Sequence, residues 1–171
     1  MLKPVKLTAA ILALALASPL AAQDGVPKSG GTLNVVIQPE PPSLMLGLVQ
    51  NGPTQMVGGD IYESLLRYDF DLKPQGQLAK SWEISEDGKT YTFILREGVV
   101  FHDGTPFTSA DVKFSMDKFL RESHSRMRTY MEHVESIETP DDLTVVFNLK
   151  QPFGPFIGIF EPGTDDPQAH L

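Results

Sequence analysis

The chain has 171 residues, no cysteine and a net charge of -8, with 14 Lys and Arg residues against 22 Asp and Glu residues. This acidic balance argues against a nucleic-acid partner, because binding to a phosphate backbone depends on clustered Lys and Arg side chains. The lack of cysteine excludes disulfides, thiolate zinc sites, a cysteine nucleophile and a lipid anchor on an N-terminal cysteine. At about 100–200 residues per domain, the length allows one domain or part of a larger one.

Residues 1–22 have the pattern of a secretory signal peptide. Lys3 and Lys6 precede an uncharged stretch in which residues 9–17 are all Ala, Ile or Leu. This apolar run is shorter than the ~20 residues that a membrane-spanning helix needs, and small residues follow it. We predict cleavage after Ala22, a periplasmic location and no membrane span after cleavage. An N-terminal membrane anchor is the alternative.

The next segments predict a strand, a loop and a short helix. Residues 23–31 are polar and contain glycine, which is typical of a flexible lead-in. Residues 32–37 are rich in β-branched and apolar side chains and predict a short strand, which the following prolines end. Residues 40–59 contain three prolines and four glycines and predict a long irregular loop. We expect a short helix over 60–66 and a strand over 67–69.

Two hairpins are predicted from alternating patterns. Residues 81–85 and 90–95 alternate with period two, and Asp87-Gly88 between them favours a tight turn. Residues 143–149 alternate in the same way, and a turn is predicted before them at 140–142. Trp82, in the first hairpin, is interpreted as a core residue packed on aromatic partners such as Tyr91 or Phe93, and not as a ligand platform.

An amphipathic helix is predicted to begin at Thr108. Asp111 lies three residues later, where its carboxylate can reach back to the Thr108 amide, as in a capping box. The apolar positions that follow have helical spacing, and charged residues occupy the opposite face. The apolar set is Val112, Met116, Phe119 and Leu120, and the charged set is Lys113, Asp117 and Arg121. Residues 154–160 are apolar and predict the start of another helix.

No catalytic, metal or cofactor site is predicted. His102 and Asp103 are adjacent, so on an extended chain they point to opposite faces, and we interpret Asp103-Gly104 as a turn. The other histidines are at 124, 133 and 170, and no pair has the spacing of a helical zinc site. The sequence also contains no nucleophile elbow, phosphate-binding glycine loop or dinucleotide fingerprint.

The loop after the first predicted strand is the candidate binding site. Ligand groups in α/β proteins commonly lie at the carboxyl ends of strands. We expect solute contacts from Glu40, Ser43, Leu44 and Gln55, with Glu40 able to meet a cationic group and the others shaping the wall. The alternative is a structural crossover that touches no ligand.

Six motifs occur in order along the chain and carry a family resemblance. They are GGTLNV at 30–35, EPPSL at 40–44, IYESL at 61–65, LAKSWEIS at 78–85, DGKTYTF at 87–93 and FHDGTPFT at 101–108. Together they resemble the N-terminal part of family 5 solute-binding proteins, the extracytoplasmic receptors of ABC importers. The resemblance implies an α/β fold of the periplasmic-binding-protein type II class, two-lobed in the full family. Residues 32–171 would form a truncated part of lobe I with its β-rich subdomain.

The resemblance also implies a function. It predicts a non-enzymatic, periplasmic solute-binding component of an ABC importer for peptides or peptide-like solutes, with permease subunits as partners and no cofactor. Because family members are much longer, we expect a truncated copy with impaired binding. Residues 45–48 replace an Asp-Pro pair that is common in the family, which implies a more apolar loop. The alternatives are an exported hydrolase that uses the His102-Asp103 region and a structural or interaction module that is not a receptor.

Overall fold

The computed structural model describes residues 29–49 and 51–160. The predicted signal peptide, most of the predicted lead-in and residues 161–171 lie outside the described residues. The chain divides into two units, Met1–Val36 and Ile37–Leu171. None of the helices in the described part of the chain is long and apolar enough to cross a membrane.

The prediction of a strand over residues 32–37 is wrong. Residues 29–37 have no regular secondary structure, and the side chains of Leu33, Val35 and Val36 are 86%, 61% and 87% exposed. A strand forms only where a neighbouring strand pairs its backbone groups, which a local sequence pattern cannot supply by itself. The alternating pattern therefore indicates that the segment can form a strand, but it does not determine whether a partner strand is present.

The unit that begins at Ile37 contains a short two-stranded sheet, a four-stranded sheet and helices. Its elements are α1 Gly52–Gly58, β1 Leu66–Tyr68, β2 Pro74–Gly76, β3 Ala79–Ile84, β4 Thr90–Leu95, α2 Ser109–Phe114, a π-helical segment Ser115–Leu120, α3 Arg121–Ser123, α4 Ser125–Met131, β5 Val134–Asp141, β6 Thr144–Leu149 and a 3-10 helix Gly154–Phe160. Strands β1 and β2 pair with each other, and the larger sheet has the antiparallel order β3-β4-β6-β5.

Both predicted hairpins are confirmed. In the first, Trp82 lies opposite Phe93, and Gly88 adopts a φ of 67° in the turn. In the second, β5 continues through Asp141, so the turn falls at 142–143, slightly later than predicted. Trp82 is half-buried and packs against the hydrophobic core, as predicted.

Phenylalanine rings at the centre of the sheet form the core. Phe93 on β4 and Phe147 on β6 are fully buried, and the 3-10 helix places Phe156 and Phe160 against them. The centroid of the Phe147 ring lies 5.8 Å from Phe93, 5.6 Å from Phe156 and 5.0 Å from Phe160. These separations are typical of favourable edge-to-face and tilted ring pairs. The helix predicted from residue 154 is thus present, as a 3-10 helix.

The helix predicted from Thr108 is confirmed, with one change in its winding. Asp111 Oδ2 accepts hydrogen bonds from the Thr108 amide and hydroxyl, each at 2.8 Å, and Val112 and Met116 are buried on the apolar face. Residues 115–120 are π-helical, and the helix continues through α3. Asp117 and Arg121, two residues of the predicted charged face, form an i,i+4 ion pair at 3.2 Å.

The segment between 40 and 66 departs from the prediction. Asn51 caps α1, because its side-chain oxygen accepts from the Thr54 amide at 2.9 Å and Pro53 lies in the first turn. The predicted loop therefore ends in a helix. Residues 60–66 form no helix and lead into β1, which confirms the strand expected near residue 67.

Candidate functional site

The unit from Ile37 onward contains an open cleft with a volume of about 1020 Å³. The cleft is lined by the turn at 45–49, by α1 and the chain after it, by the loop at 99–107, by the helical region 111–130 and by the end of the 3-10 helix. More than half of the lining side chains are apolar, and charged and polar groups lie among them. A large, mainly apolar concavity with few polar groups is the usual form of a small-molecule site.

The π-helical segment forms much of the apolar wall. It contributes Met116, Phe119 and Leu120 to the cleft, and α4 adds Met127. A π-helical turn holds more residues than an α-helical turn, so it changes the direction in which the following side chains project, and such turns are frequent at functional sites. Here the π-helical segment lies at the cleft and supplies part of its apolar lining.

The turn at 45–48 is packed against this helix. Gly47 lies so close that a Cβ atom on it would be 2.9 Å from Phe119 Cζ. The hydroxyl of Ser123 lies 3.1 Å from the Gly47 carbonyl and 2.6 Å from the Phe119 carbonyl. The apolar character of this turn, noted in the sequence, therefore serves packing at one end of the cleft.

The four predicted site residues occupy different environments. Gln55 is on α1 and lines the cleft. Ser43 orders the loop before α1, because its hydroxyl accepts from the Met45 amide and its carbonyl accepts from the buried Thr54 hydroxyl, both at 3.0 Å. Glu40 is exposed, Leu44 is 48% exposed, and neither contributes to the lining. The structure brings one of the four to the cleft, and a solute contact from any of them stays a prediction.

Of the charged groups that line the cleft, the sequence singled out only Asp111, and it did so as a helix cap. Among the described residues, Arg126 is the one Lys or Arg that lines the cleft. Three carboxylates also line the cleft, those of Asp60, Glu63 and Asp111. The guanidinium carbon of Arg126 lies 5.6 Å from the centre of the Tyr130 ring, which is within cation–π range. No local pattern marks Arg126 in the sequence, since only the fold shows that it faces a cavity.

His124 lines the cleft and also caps α4. Its Nδ1 atom accepts a hydrogen bond from the Met127 amide at 3.1 Å, which requires a neutral imidazole with its proton on Nε2. Burial lowers the pKa of His124 below its ordinary value, and the charge of Arg126 lowers the pKa further. The geometry and the electrostatics therefore both favour the uncharged ring.

The segment 102–105 forms the predicted turn. Asp103 Oδ1 accepts from the Thr105 amide at 2.9 Å and from its hydroxyl at 2.7 Å, and these bonds lower the pKa of Asp103. Gly104 has a φ of 86°, a conformation that favours glycine. Across residues 29–49 and 51–160, no group of three or more His, Asp or Glu side chains is placed to hold a metal ion.

Comparison with known proteins identifies the family. Residues 73–169, more than half of the chain, match the model of the bacterial extracellular solute-binding proteins, family 5 Middle. The glutathione-binding protein GsiB of Pectobacterium atrosepticum is 36% identical over 152 residues, which is 87% of this chain and 28% of that protein. GsiB of Salmonella paratyphi A is 38% identical over 120 residues, covering 68% of this chain and 23% of that protein.

Solved structures show the same relationship. The periplasmic binding protein AgaA from A. tumefaciens R10, in complex with agropinic acid, matches with a TM-score of 0.65 and 36% identity over 71% of this chain and 25% of that one. DppA from Helicobacter pylori, in complex with the peptide STSA, matches with a TM-score of 0.54 and 34% identity over 67% and 26%. The α/β fold class is thus confirmed, and the chain spans about a quarter of the length of these relatives. The chain belongs to the bacterial extracellular solute-binding proteins of family 5.

Proposed function

We propose that this chain supplies one wall of the solute-binding cleft in the extracytoplasmic component of an ABC importer for peptides or peptide-like solutes. The observation that carries the proposal is the open cleft of about 1020 Å³ in a member of the solute-binding family. The relatives support the substrate class, since their names include glutathione-binding proteins and a structure with a bound peptide. The proposal places the protein in the periplasm, exported through an N-terminal signal peptide. Its protein partners are the permease subunits of the importer.

The proposed mechanism is a shift between open and closed states. A solute that contacts two walls of a cleft stabilises the closed state by its differential affinity for that state, and the closed complex then docks on the permease. A micromolar solute needs about -8 kcal/mol of binding free energy, whereas about -4 kcal/mol corresponds to millimolar binding. One wall offers only part of the contacts, so we expect the isolated chain to bind peptides no tighter than about millimolar.

The residues predicted from the sequence are part of this proposal. Gln55 lines the cleft, and its side-chain amide can both donate to and accept from a peptide group. Glu40, Ser43 and Leu44 lie in the segment leading to α1, where Glu40 and the apolar Leu44 side chain are exposed. We propose Gln55 as the main solute contact of the four.

The test is a graft into a relative of full receptor length. The aligned 152 residues of this chain would replace their counterparts in GsiB of Pectobacterium atrosepticum, and calorimetry would measure binding of glutathione and of short peptides. A graft that unfolds cooperatively and binds one of these solutes in the micromolar range supports the proposal. A folded graft that binds none of them contradicts it.

A matched pair of variants tests the site within the graft. Gln55→Ala removes a cleft-lining amide, while Gln151→Ala removes an exposed amide outside the cleft. We expect roughly tenfold weaker binding for Gln55→Ala, the loss of about one hydrogen bond, and unchanged binding for Gln151→Ala. Equal affinities for the two variants would argue against Gln55 as a contact.

A further inference from the structure

We propose that His124, between α3 and α4, is a pH-sensitive latch on the cleft wall, whose protonation frees the first turn of α4. The neutral imidazole holds this turn in place, and the charged imidazole releases it. The latch is a property of this chain alone. Only its effect on solute binding rests on the proposed function.

Two side chains hold the junction between α3 and α4. His124 lies between the helices with an extended backbone, at φ -109° and ψ 108°, and its Nδ1 atom accepts from the Met127 amide at 3.1 Å. Arg128 donates to the last carbonyls of α3, with Nη2 2.7 Å from the Glu122 oxygen and Nε 3.3 Å from the Arg121 oxygen. A guanidinium stays charged, whereas an imidazole changes its charge between about pH 5 and pH 8, so only one of the two contacts depends on pH.

Protonation of His124 breaks the contact that begins α4. Both ring nitrogens of an imidazolium are donors, so a protonated Nδ1 would face the N–H group of Met127. The Met127 amide would lose its acceptor, and a positive charge would stand at the start of a helix, where it is unfavourable. The first turn of α4, which carries the cleft-lining Met127, is therefore less stable when His124 is charged.

The far end of α4 is fixed to the core. Met131 is only 2% exposed, and the centre of the Tyr130 ring lies 5.7 Å from that of Phe153. Loss of the cap at His124 therefore frees the first turn while the last turn stays packed, which is a local opening and not unfolding of the chain. The change is confined to a part of α4 that lines the cleft.

The charges around His124 oppose an imidazolium in the capping position. The charged or titratable groups on the surrounding elements are Asp117 and Lys118 on the π-helical segment, Arg121 and Glu122 on α3, Arg126 and Arg128 on α4, and Asp60, Glu63, His102 and Asp111 in the cleft lining. Asp117 is paired with Arg121. The charge of Arg126 opposes a cation at His124, whereas the three cleft carboxylates attract one. A charged ring is thus more stable away from Arg126 and nearer to the carboxylates.

The experiment is an NMR titration of the purified 171-residue chain between about pH 8 and pH 5. We expect the His124 ring and the Met127 amide to titrate with one midpoint, which lies below 6.5 because burial and Arg126 oppose the charge. Hydrogen exchange, corrected for the intrinsic pH dependence of exchange, should show protection of residues 125–128 falling about tenfold across this midpoint, the loss of one cap. Strand β6, in the core, should keep its protection.

Variants assign the change to His124. His124→Asn keeps a capping oxygen that does not titrate, so the protection of residues 125–128 should no longer depend on pH. His102→Asn removes an exposed imidazole that lines the same cleft, and it should leave the tenfold change intact. Arg126→Gln should move the midpoint to higher pH, because it removes the positive charge that opposes protonation. Circular dichroism would confirm that each variant is folded, and Arg126→Gln tests the latch with the imidazole still present.

Three results would overturn the latch. They are a Met127 amide that does not follow the His124 titration, a loss of protection that persists in His124→Asn, and a His124 ring that stays neutral down to about pH 5. Each of these leaves the receptor function standing, because that function does not require a pH-dependent wall.

Calorimetry on the GsiB graft tests the effect on solute binding. We expect glutathione to bind about threefold more weakly at about pH 5.5 than at about pH 7.5, as if a third of the molecules kept a competent wall, and the His124→Asn graft should not show this loss. An equal loss in both grafts would overturn the effect on binding. A graft that binds no solute at either pH contradicts the proposed function, and the NMR result then decides the latch by itself.

Discussion

Replacement of Phe147 by alanine is expected to remove much of the stability of this fold. Phe147 is fully buried on the central strand β6, and its ring contacts those of Phe93, Phe156 and Phe160 at centroid distances of 5.0–5.8 Å. Truncation of a buried phenylalanine costs about 3–5 kcal/mol, since the transfer free energy of the ring is lost and a cavity remains. Domains of this size are stable by only about 5–15 kcal/mol, so the variant should be marginally folded.

Two further variants make this prediction refutable. Phe147→Leu keeps most of the volume and should cost about 1.5 kcal/mol, mainly from lost ring pairs and imperfect packing. Phe70→Ala truncates a fully exposed ring at the β1–β2 turn and should change the free energy of unfolding by less than about 0.5 kcal/mol. Urea unfolding followed by circular dichroism gives all three values. A loss for Phe147→Ala no larger than that for Phe70→Ala would refute the assignment of the core.

Three other changes are predicted. Gly76→Ala should lower the free energy of unfolding by about 1–3 kcal/mol, because its Cβ would meet the Ala79 carbonyl oxygen, whereas Gly154→Ala, with open space around it, should have little effect in the same urea assay. Asp111→Ala should cost about 0.5–2 kcal/mol through loss of the capping box, and a cost near zero would show that the cap is dispensable. The pKa of His124 in the folded state is lowered from 6.5. As the pH falls, the imidazole of His124 is therefore protonated in the unfolded chain before it is protonated in the folded chain. The contribution of His124 to the free energy of unfolding is therefore complete above pH 6.5 and is lost as the pH falls from 6.5 toward the folded-state pKa. His124→Asn should remove this part of the pH dependence, measured by urea unfolding at several pH values.

The parts of the fold that the sequence predicted correctly depend on local interactions. The Asp87-Gly88 turn joins two alternating runs, so pattern and turn chemistry together determine the register of that hairpin. The cap at Thr108 is likewise a contact between residues three positions apart. Such signals lie within a few residues of one another and can be recognised in a single sequence.

The two errors in the predicted elements have different causes, one non-local and one local. The segment 32–37 has a strand pattern but no regular secondary structure, because a strand also needs a partner strand, which a local pattern does not specify. The helix expected at 60–66 lies instead at Gly52–Gly58, where Asn51 and Pro53 form a local start signal.

Most of the candidate site was beyond reach of the sequence for the first of these causes. The cleft joins segments that are far apart along the chain, and Gln55 was the one predicted site residue that lies in it. The π-helical winding at 115–120, a segment in which Phe119 and Leu120 line the cleft, has no recognisable signal in the residue pattern. The role of His124 as a cap was missed because histidine is not a common capping residue.

The most direct test of the receptor account is amide hydrogen exchange in the GsiB graft, measured by mass spectrometry with and without saturating glutathione. If the cleft of this chain contacts the solute, exchange should slow in the cleft-lining region 115–131. The exposed turn at 69–73, which lies outside the cleft, should exchange at an unchanged rate. A graft that binds glutathione while region 115–131 shows no added protection would contradict the assignment of this cleft as a solute-binding wall.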